Sequence, residues 1–228
     1  MDRGQEKAER VIDTLTGPVE RRILPRMAQA LPGWVTPDHL TVLGLVAAAL
    51  IGAGYVLTRF SPWWLALVNL ALIVHWYADS LDGTLARVRK IERERYGYFV
   101  DHICDAVTAF LACLGLGASP YMDLRVGLFL VIGYFMMNIY VHTATYAKGR
   151  FKLSYGKLGP TEVRIVMFIV NIIVPFWNPK LCFVYGVPVR ALDVAGVAVG
   201  TIFLVIFTVC SIRDARELDR LDRAQRGK

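Results

Sequence analysis

Apolar stretches of about 20 residues recur along the chain, and they constrain its fold more than any other feature. Six are legible, at about 39–58, 62–85, 97–118, 123–146, 161–177 and 190–212. A helix rises about 1.5 Å per residue, so 20 residues match a hydrocarbon core about 30 Å thick. Lipid offers no partner to backbone N–H and C=O groups, so spanning segments of this length must pair them internally as helices. Composition agrees, with 55% of the 228 residues hydrophobic, more than an ordinary soluble domain of this size carries. The expected fold is an all-α integral membrane protein with six transmembrane helices. The stretch at 161–177 is the shortest of them.

Charge orients these helices. Residues 1–36 hold six Lys/Arg, 87–95 five, 148–157 four and 213–228 six. The alternate connections hold only Arg59, Arg125, Lys180 and Arg190. The positive-inside rule then puts both termini in the cytoplasm, together with the loops at 87–95 and 148–157. An even number of spans agrees. The basic faces suit anionic lipid headgroups, and no nucleic-acid partner is expected. The first 35 residues are charged and lack a signal-peptide core, so the N-terminus is expected to be retained. The four cysteines (Cys104, Cys113, Cys182, Cys210) have no metal-type spacing and read as small buried hydrophobes.

Three regions follow. Residues 1–36 form an amphipathic juxtamembrane segment, 37–213 the six-helix domain and 214–228 a charged cytoplasmic tail. Within 7–31, Ile12, Leu15, Val19, Ile23 and Met27 recur at helical spacing, with Arg10, Glu20, Arg21 and Arg26 on other faces. Such an N-terminal amphipathic helix lies in the interface or packs on its own protein. Pro18 and Pro25 are expected to break or kink it. Thr36 or Asp38 is expected to cap the first span, with Pro37 in its first turn. Gly44, Ala48 and Gly52, and Gly196 and Gly200, make small-residue faces for close helix contact, within a protomer or in a dimer.

Against this apolar background, four aspartates fall within 27 residues: Asp79, Asp82, Asp101 and Asp105. Carboxylates near a membrane are costly and point to function. Asp79 and Asp82 are spaced i, i+3; Asp101 and Asp105 are spaced i, i+4, so each pair shares a helix face. Topology puts both pairs at the cytoplasmic ends of antiparallel neighbours. Four acceptor-only carboxylates suit Mg²⁺ or Mn²⁺, and such ions commonly hold substrate phosphates. Gly83 and Gly97 allow close approach of a ligand. Arg87, four residues beyond Gly83, offers a forked phosphate donor. The bland reading, helix caps and partners for nearby arginines, suits any one of these aspartates better than all four together.

Asp79-x2-Asp82-Gly83-x2-Ala86-Arg87, then Gly97-x3-Asp101-x3-Asp105, resembles the signature of the CDP-alcohol phosphotransferase family at all eight positions. The resemblance implies membrane enzymes of phospholipid synthesis with a six-helix core, often homodimeric. They move a substituted phosphate from a CDP-linked donor to an alcohol and release CMP. It further implies that Asp79, Asp82, Asp101 and Asp105 hold metal, two ions in all. Asp105 would act as general base, and Asp82, Gly83, Ala86, Arg87 and Gly97 would line the cytidine and pyrophosphate pocket. One departure stands out: Pro37-Asp38-His39-Leu40-Thr41 has Asp38 where family members often carry Asn.

Two donor classes stay open. Asp101-His102-Ile103-Cys104-Asp105 and the Thr161-Glu162 segment resemble choline and ethanolamine phosphotransferases, which are usually longer chains. This favours a CDP-aminoalcohol donor with a diacylglycerol-like acceptor, and makes His102 and Glu162 candidates to activate the lipid hydroxyl. Glu162 also suits a helix first turn without any catalytic role. The alternative is CDP-diacylglycerol with a small polar acceptor, for which Lys152, Lys157 and Arg164 are candidate phosphate contacts. Asn138, His142 and Tyr146 make a polar stripe that lines an acceptor pocket or serves a helix–helix contact. A transporter would show repeats and broken mid-membrane helices; the acids here sit at one end and no repeat is legible. A membrane prenyltransferase is expected to carry a different acidic motif. A non-catalytic scaffold would have no need of an intact motif.

Overall fold

The computed structural model describes residues 15–148, 159–184 and 186–226. It is helical apart from one short hairpin: α1 (Gly17–Ala30), α2 (Pro37–Leu57), α3 (Trp64–Arg89), α4 (Glu94–Gly117), α5 (Leu124–Lys148), α6 (Pro160–Ile173), β1 (Lys180–Val184), β2 (Val187–Arg190) and α7 (Ala191–Arg226). Five helices, α2, α3, α4, α5 and α7, are long and apolar enough to cross a membrane, as an integral membrane protein requires.

The bundle has two ends. α2 and α3 run antiparallel, with Thr41 meeting Asp82 at one end and Gly54 meeting Val68 at the other. α4 runs parallel to α2, and Gly52 and Gly115 bring the two backbones together. A Cβ built on Gly115 would lie 2.5 Å from the Gly52 carbonyl oxygen, so this contact exists only between glycines. The small-residue face of α2 therefore serves packing inside the protomer. α5 returns beside α4, with Gly127 against Gly117 and His142 beside Tyr98. α7 runs parallel to α5, from Gly200 against Gly133 to Asp214, which accepts from Tyr140 at 2.6 Å.

Packing is apolar on both the inside and the outward faces of the helices. Ile51, Tyr55, Val68, Leu72 and Ala112 form one buried cluster between α2, α3 and α4. Val42, Val46 and Leu50 on α2, and Ile202, Val205 and Val209 on α7, face outward. A bilayer tolerates such faces, because lipid tails are as apolar as the core.

α6 departs from expectation. Its 14 residues rise about 21 Å, short of a bilayer core. Pro175 explains the early stop, since it supplies no N–H and disfavours helix at the residue before it. Polar pins hold α6 along α3. Arg164 pairs with Asp79 at one end; Asn171 binds Asn69 at 2.8 Å and Tyr55 at 2.9 Å nearer the other. Beyond it, Asn178 donates to the Tyr121 carbonyl at 2.8 Å, in the loop between α4 and α5.

The antiparallel β1–β2 hairpin was not foreseen. Asp193, buried at the start of α7, accepts from the Arg190 and Asp123 amides at 2.8 and 2.7 Å and fixes that end of the bundle. The charged tail continues α7 as helix through Arg226. α1 also runs on through Pro25, while Pro18 sits in its first turn. It packs Leu24, Met27 and Ala28 against Leu81 and Leu85 of α3, leaving Leu15, Val19 and Ile23 exposed. Ile12 and Arg10 lie outside the described residues, as do Lys152 and Lys157. All four cysteines are free; Cys210 is buried, but Cys182 is exposed on β1, against expectation.

Candidate active site

The site is built from three helices. The last turns of α3 present Asp79 and Asp82, the first turns of α4 present Asp101 and Asp105, and the start of α2 closes the floor with Thr41 and Gly44. All six line one cavity of about 10 Å³, room for about one water molecule. Helix periodicity puts each acidic pair on one face, and the parallel run of α2 and α4 beside antiparallel α3 turns those faces together.

Local chemistry holds this end in place. Thr36 accepts from the His39 amide at 3.3 Å and caps α2. Lys90, with φ of 57°, ends α3 in the left-handed conformation. Arg93 ion-pairs with Asp38 and stacks 4.1 Å over the Tyr96 ring. Asp38, the departure from the family pattern, thus ties α2 to the α3–α4 turn. Arg89 donates to the Leu31, Pro32 and Val35 carbonyls and fastens the α1–α2 linker.

Within the cavity, Asp82 accepts from Thr41 Oγ1 at 3.1 Å and from the Gly83 amide at 2.5 Å. Arg164 of α6 donates to Asp79 Oδ2 at 2.7 Å. His75, one turn before Asp79, contacts Thr108 Oγ1 at 3.0 Å through Nε2. That hydroxyl donates to the Cys104 carbonyl, so Nε2 must carry the proton towards it. His75 Nδ1 is therefore an acceptor, buried and without a hydrogen-bond partner. Unsatisfied buried groups are rare and often mark a ligand site.

The donor set suits a hard divalent cation, with four carboxylates lining one cavity as oxygen ligands. In the arrangement shown, no three His, Cys, Asp or Glu side chains among the described residues stand close enough to hold a metal. Arg164 takes up part of the negative charge instead.

The other predicted residues fall in three places. Gly83, Arg87 and Gly97 are exposed beside the cavity, and Ala86 is half-buried on α3 between them. Nothing lies within 4 Å of a Cβ built on Gly97, and only Arg87 Nη1, at 3.6 Å, approaches one on Gly83. His102 is half-buried and is not among the residues lining the cavity, though its Nδ1 lies 3.7 Å from Asp101 Oδ2; that nitrogen donates to the Tyr98 carbonyl at 2.7 Å, and the ring meets His142 edge to face at 4.7 Å. His142 also contacts the Tyr98 hydroxyl at 2.9 Å. Asn138 lies 3.5 Å from the Tyr134 hydroxyl, while Tyr146 is 93% exposed and outside this cluster.

Glu162 is buried at the start of α6. It accepts from the Gly159 amide at 2.8 Å and from the Thr16 amide and hydroxyl at 2.9 and 3.0 Å. Glu20 of α1 reciprocates, accepting from Thr161 at 2.7 Å and Trp76 at 3.1 Å. Two Thr–Glu pairs thus clasp α1 to α6.

His75, Thr108 and Tyr98 were not singled out from sequence. A signal existed: His75 lies four residues before Asp79 and Thr108 three after Asp105, the same helical spacings that unite the aspartates.

The family model for CDP-alcohol phosphatidyltransferase matches residues 34–211, which include every residue lining the cavity. The chain belongs to the CDP-alcohol phosphatidyltransferase family. Cholinephosphotransferase 1 of Danio rerio is 31% identical over 196 residues, 78% of this chain and 49% of that protein. The Bos taurus protein of the same name is 32% identical over 196 residues, and the Homo sapiens one 27% over 190; each match covers 78% of this chain and 46% of the relative. The chain thus spans about half the length of the curated relatives it matches.

Proposed function

We propose that the protein transfers a substituted phosphate from a CDP-linked donor to an alcohol and releases CMP. One observation carries the reading: in a chain of this family, four signature aspartates from two helices line a single cavity. The acceptor oxygen attacks the phosphorus that bears the donor's alcohol. A new P–O bond forms, the pyrophosphate P–O bond breaks, and CMP leaves with the electron pair. Asp105 takes the acceptor's proton. Asp79, Asp82, Asp101 and Asp105 are the residues to hold divalent ions, two of Mg²⁺ or Mn²⁺. Bound there, the ions would neutralise the pyrophosphate oxygens and stabilise the leaving group. Gly83, Ala86, Arg87 and Gly97 receive the cytidine and pyrophosphate; the open space at both glycines supports this.

The donor is a CDP-aminoalcohol such as CDP-choline, with a diacylglycerol-like acceptor. The names of the matched relatives and the Asp101–Asp105 segment support that choice. CDP-diacylglycerol with a small polar acceptor is the second reading, favoured by Arg164 beside Asp79, a candidate contact for an acceptor phosphate. His102 and Glu162 orient the acceptor hydroxyl, Glu162 from its place in the clasp with Thr16. α6 with its following turn makes the sixth crossing, supported by its run from Asp79 to the Tyr121 loop. The termini and the site then face the cytoplasm, α1 lies in the interface on its exposed Leu15, Val19 and Ile23, and the enzyme works as a homodimer.

The test is CMP release from the full chain in lipid nanodiscs, crossing CDP-choline, CDP-ethanolamine and CDP-diacylglycerol with an acceptor panel in Mg²⁺ or Mn²⁺. Asp105→Asn is expected to lose turnover while folding normally. Full activity in that variant removes Asp105 as the base, and turnover with CDP-diacylglycerol alone overturns the donor choice.

A further inference from the structure

Arg164 ion-pairs with a carboxylate that lines the acidic cavity, and its place is built rather than incidental. Its guanidinium donates to Asp79 Oδ2 at 2.7 Å with only 13% of the side chain exposed. Two independent anchors position the helix that carries it. Glu162, two residues earlier, is held by Thr16 of α1, and Asn171, two turns later, is held by Asn69 and Tyr55. Arg164 therefore reaches Asp79 from a fixed backbone, and only its flexible side chain is left to move.

We infer that Arg164 is a resident counter-cation that holds Asp79 until a divalent ion takes that carboxylate, so that it sets the affinity of the acidic site for metal. The inference rests on the reading of the four aspartates as a metal site. The reason is electrostatic. Four carboxylates facing one small cavity repel one another and are costly to bury. One guanidinium offsets part of that charge and draws Asp79 towards α6. A divalent ion among the same carboxylates would meet Arg164 as a like charge at short range. The two cations therefore compete for Asp79, and Arg164 yields by rotating its side chain while α6 stays pinned. The cost of removing Arg164 from Asp79 is subtracted from every binding event at that carboxylate, and the helix clasp keeps that cost constant.

Mn²⁺ binding separates this inference from the reading beneath it. The full chain in lipid nanodiscs is titrated with Mn²⁺ alone, and free Mn²⁺ is counted by electron paramagnetic resonance. Wild type, Asp79→Asn and Arg164→Gln are compared, with melting temperatures recorded in chelator and in Mn²⁺. Asp79→Asn is expected to bind more weakly than wild type. Arg164→Gln is expected to bind about tenfold more tightly, the order of magnitude for removing one nearby like charge from a half-screened site. Its melting temperature is expected to fall in chelator and to rise more than wild type's when Mn²⁺ is added. If Asp79→Asn binds as wild type does, the metal-site reading fails and takes this inference with it. If Asp79→Asn weakens binding but Arg164→Gln binds no more tightly than wild type, the competition is refuted and the metal site stands. A variant that folds only in Mn²⁺ supports the exchange. One that folds in neither condition overturns it, because the ion then cannot replace the guanidinium.

Discussion

Replacing Gly115 with alanine tests whether the α2–α4 contact sets the geometry of the site. The added Cβ would lie 2.5 Å from the Gly52 carbonyl oxygen and 2.7 Å from Gly52 Cα, where ordinary contact begins at 3.4 Å. The shortfall of about 0.9 Å is against backbone, so no rotamer change relieves it, and α4 must move away from α2 by about that distance. Alanine gains about 1 kcal/mol of helix propensity over glycine. Overpacking of this kind costs about 1–3 kcal/mol, so the net loss reaches about 2 kcal/mol. Activity should suffer more. α4 carries Asp101 and Asp105 while α3 carries Asp79 and Asp82, and a misplacement of about 1 Å between reacting groups can cost roughly 100-fold. Melting in detergent and CMP release in nanodiscs are measured together, with Gly97→Ala on the same helix as the packing control. Gly115→Ala is expected to melt lower than wild type and to lose CMP release by about 10- to 100-fold. If it melts like Gly97→Ala and keeps full turnover, the glycine contact does not govern the site.

Gly97→Ala itself should fold normally, since nothing lies within 4 Å of the new methyl, and should raise KM for the CDP donor; an unchanged KM removes Gly97 from the nucleotide pocket. Arg89→Ala should expose the 31–35 linker to limited proteolysis and cost about 2 kcal/mol by stranding backbone carbonyls, and wild-type protection there would show the fastening is incidental. Thr16→Val and Glu162→Gln should each lower the melting temperature and couple in a double-mutant cycle. Glu162→Gln should in addition reduce kcat well beyond Thr16→Val, and equal kcat values would leave Glu162 only its role in the clasp. Tyr140→Phe removes the 2.6 Å donor to Asp214 and should loosen α7 from α5, read as faster hydrogen exchange in α7 with CMP release little changed.

Much of the fold was legible because the signals are local. Five of the six apolar stretches are long helices, since a bilayer demands internal pairing over a stated length; four have both ends within a few residues of expectation, while α7 runs on through the charged tail to Arg226. α6 was misjudged in length because hydrophobicity at 161–177 continues through Pro175, and the backbone obeys the proline. The hairpin at 180–190 lacks a strong turn pair or clean alternation, and it forms where Asn178 and Asp193 pin its two ends.

The site divides along the same line. Sequence alone determined which carboxylates share a face, because i, i+3 and i, i+4 spacing is a property of one helix, and the eight-residue signature tied them to a family. Which faces meet, and what else meets them, is a property of several helices. Only tertiary packing brought Arg164 from α6 onto Asp79, Thr41 from α2 onto Asp82, and Thr16 from α1 onto Glu162. Those contacts join residues 41 to 146 positions apart in the chain, and no periodicity reaches that far. The aspartates could be found from the chain; the cation that guards them could be found only from the fold.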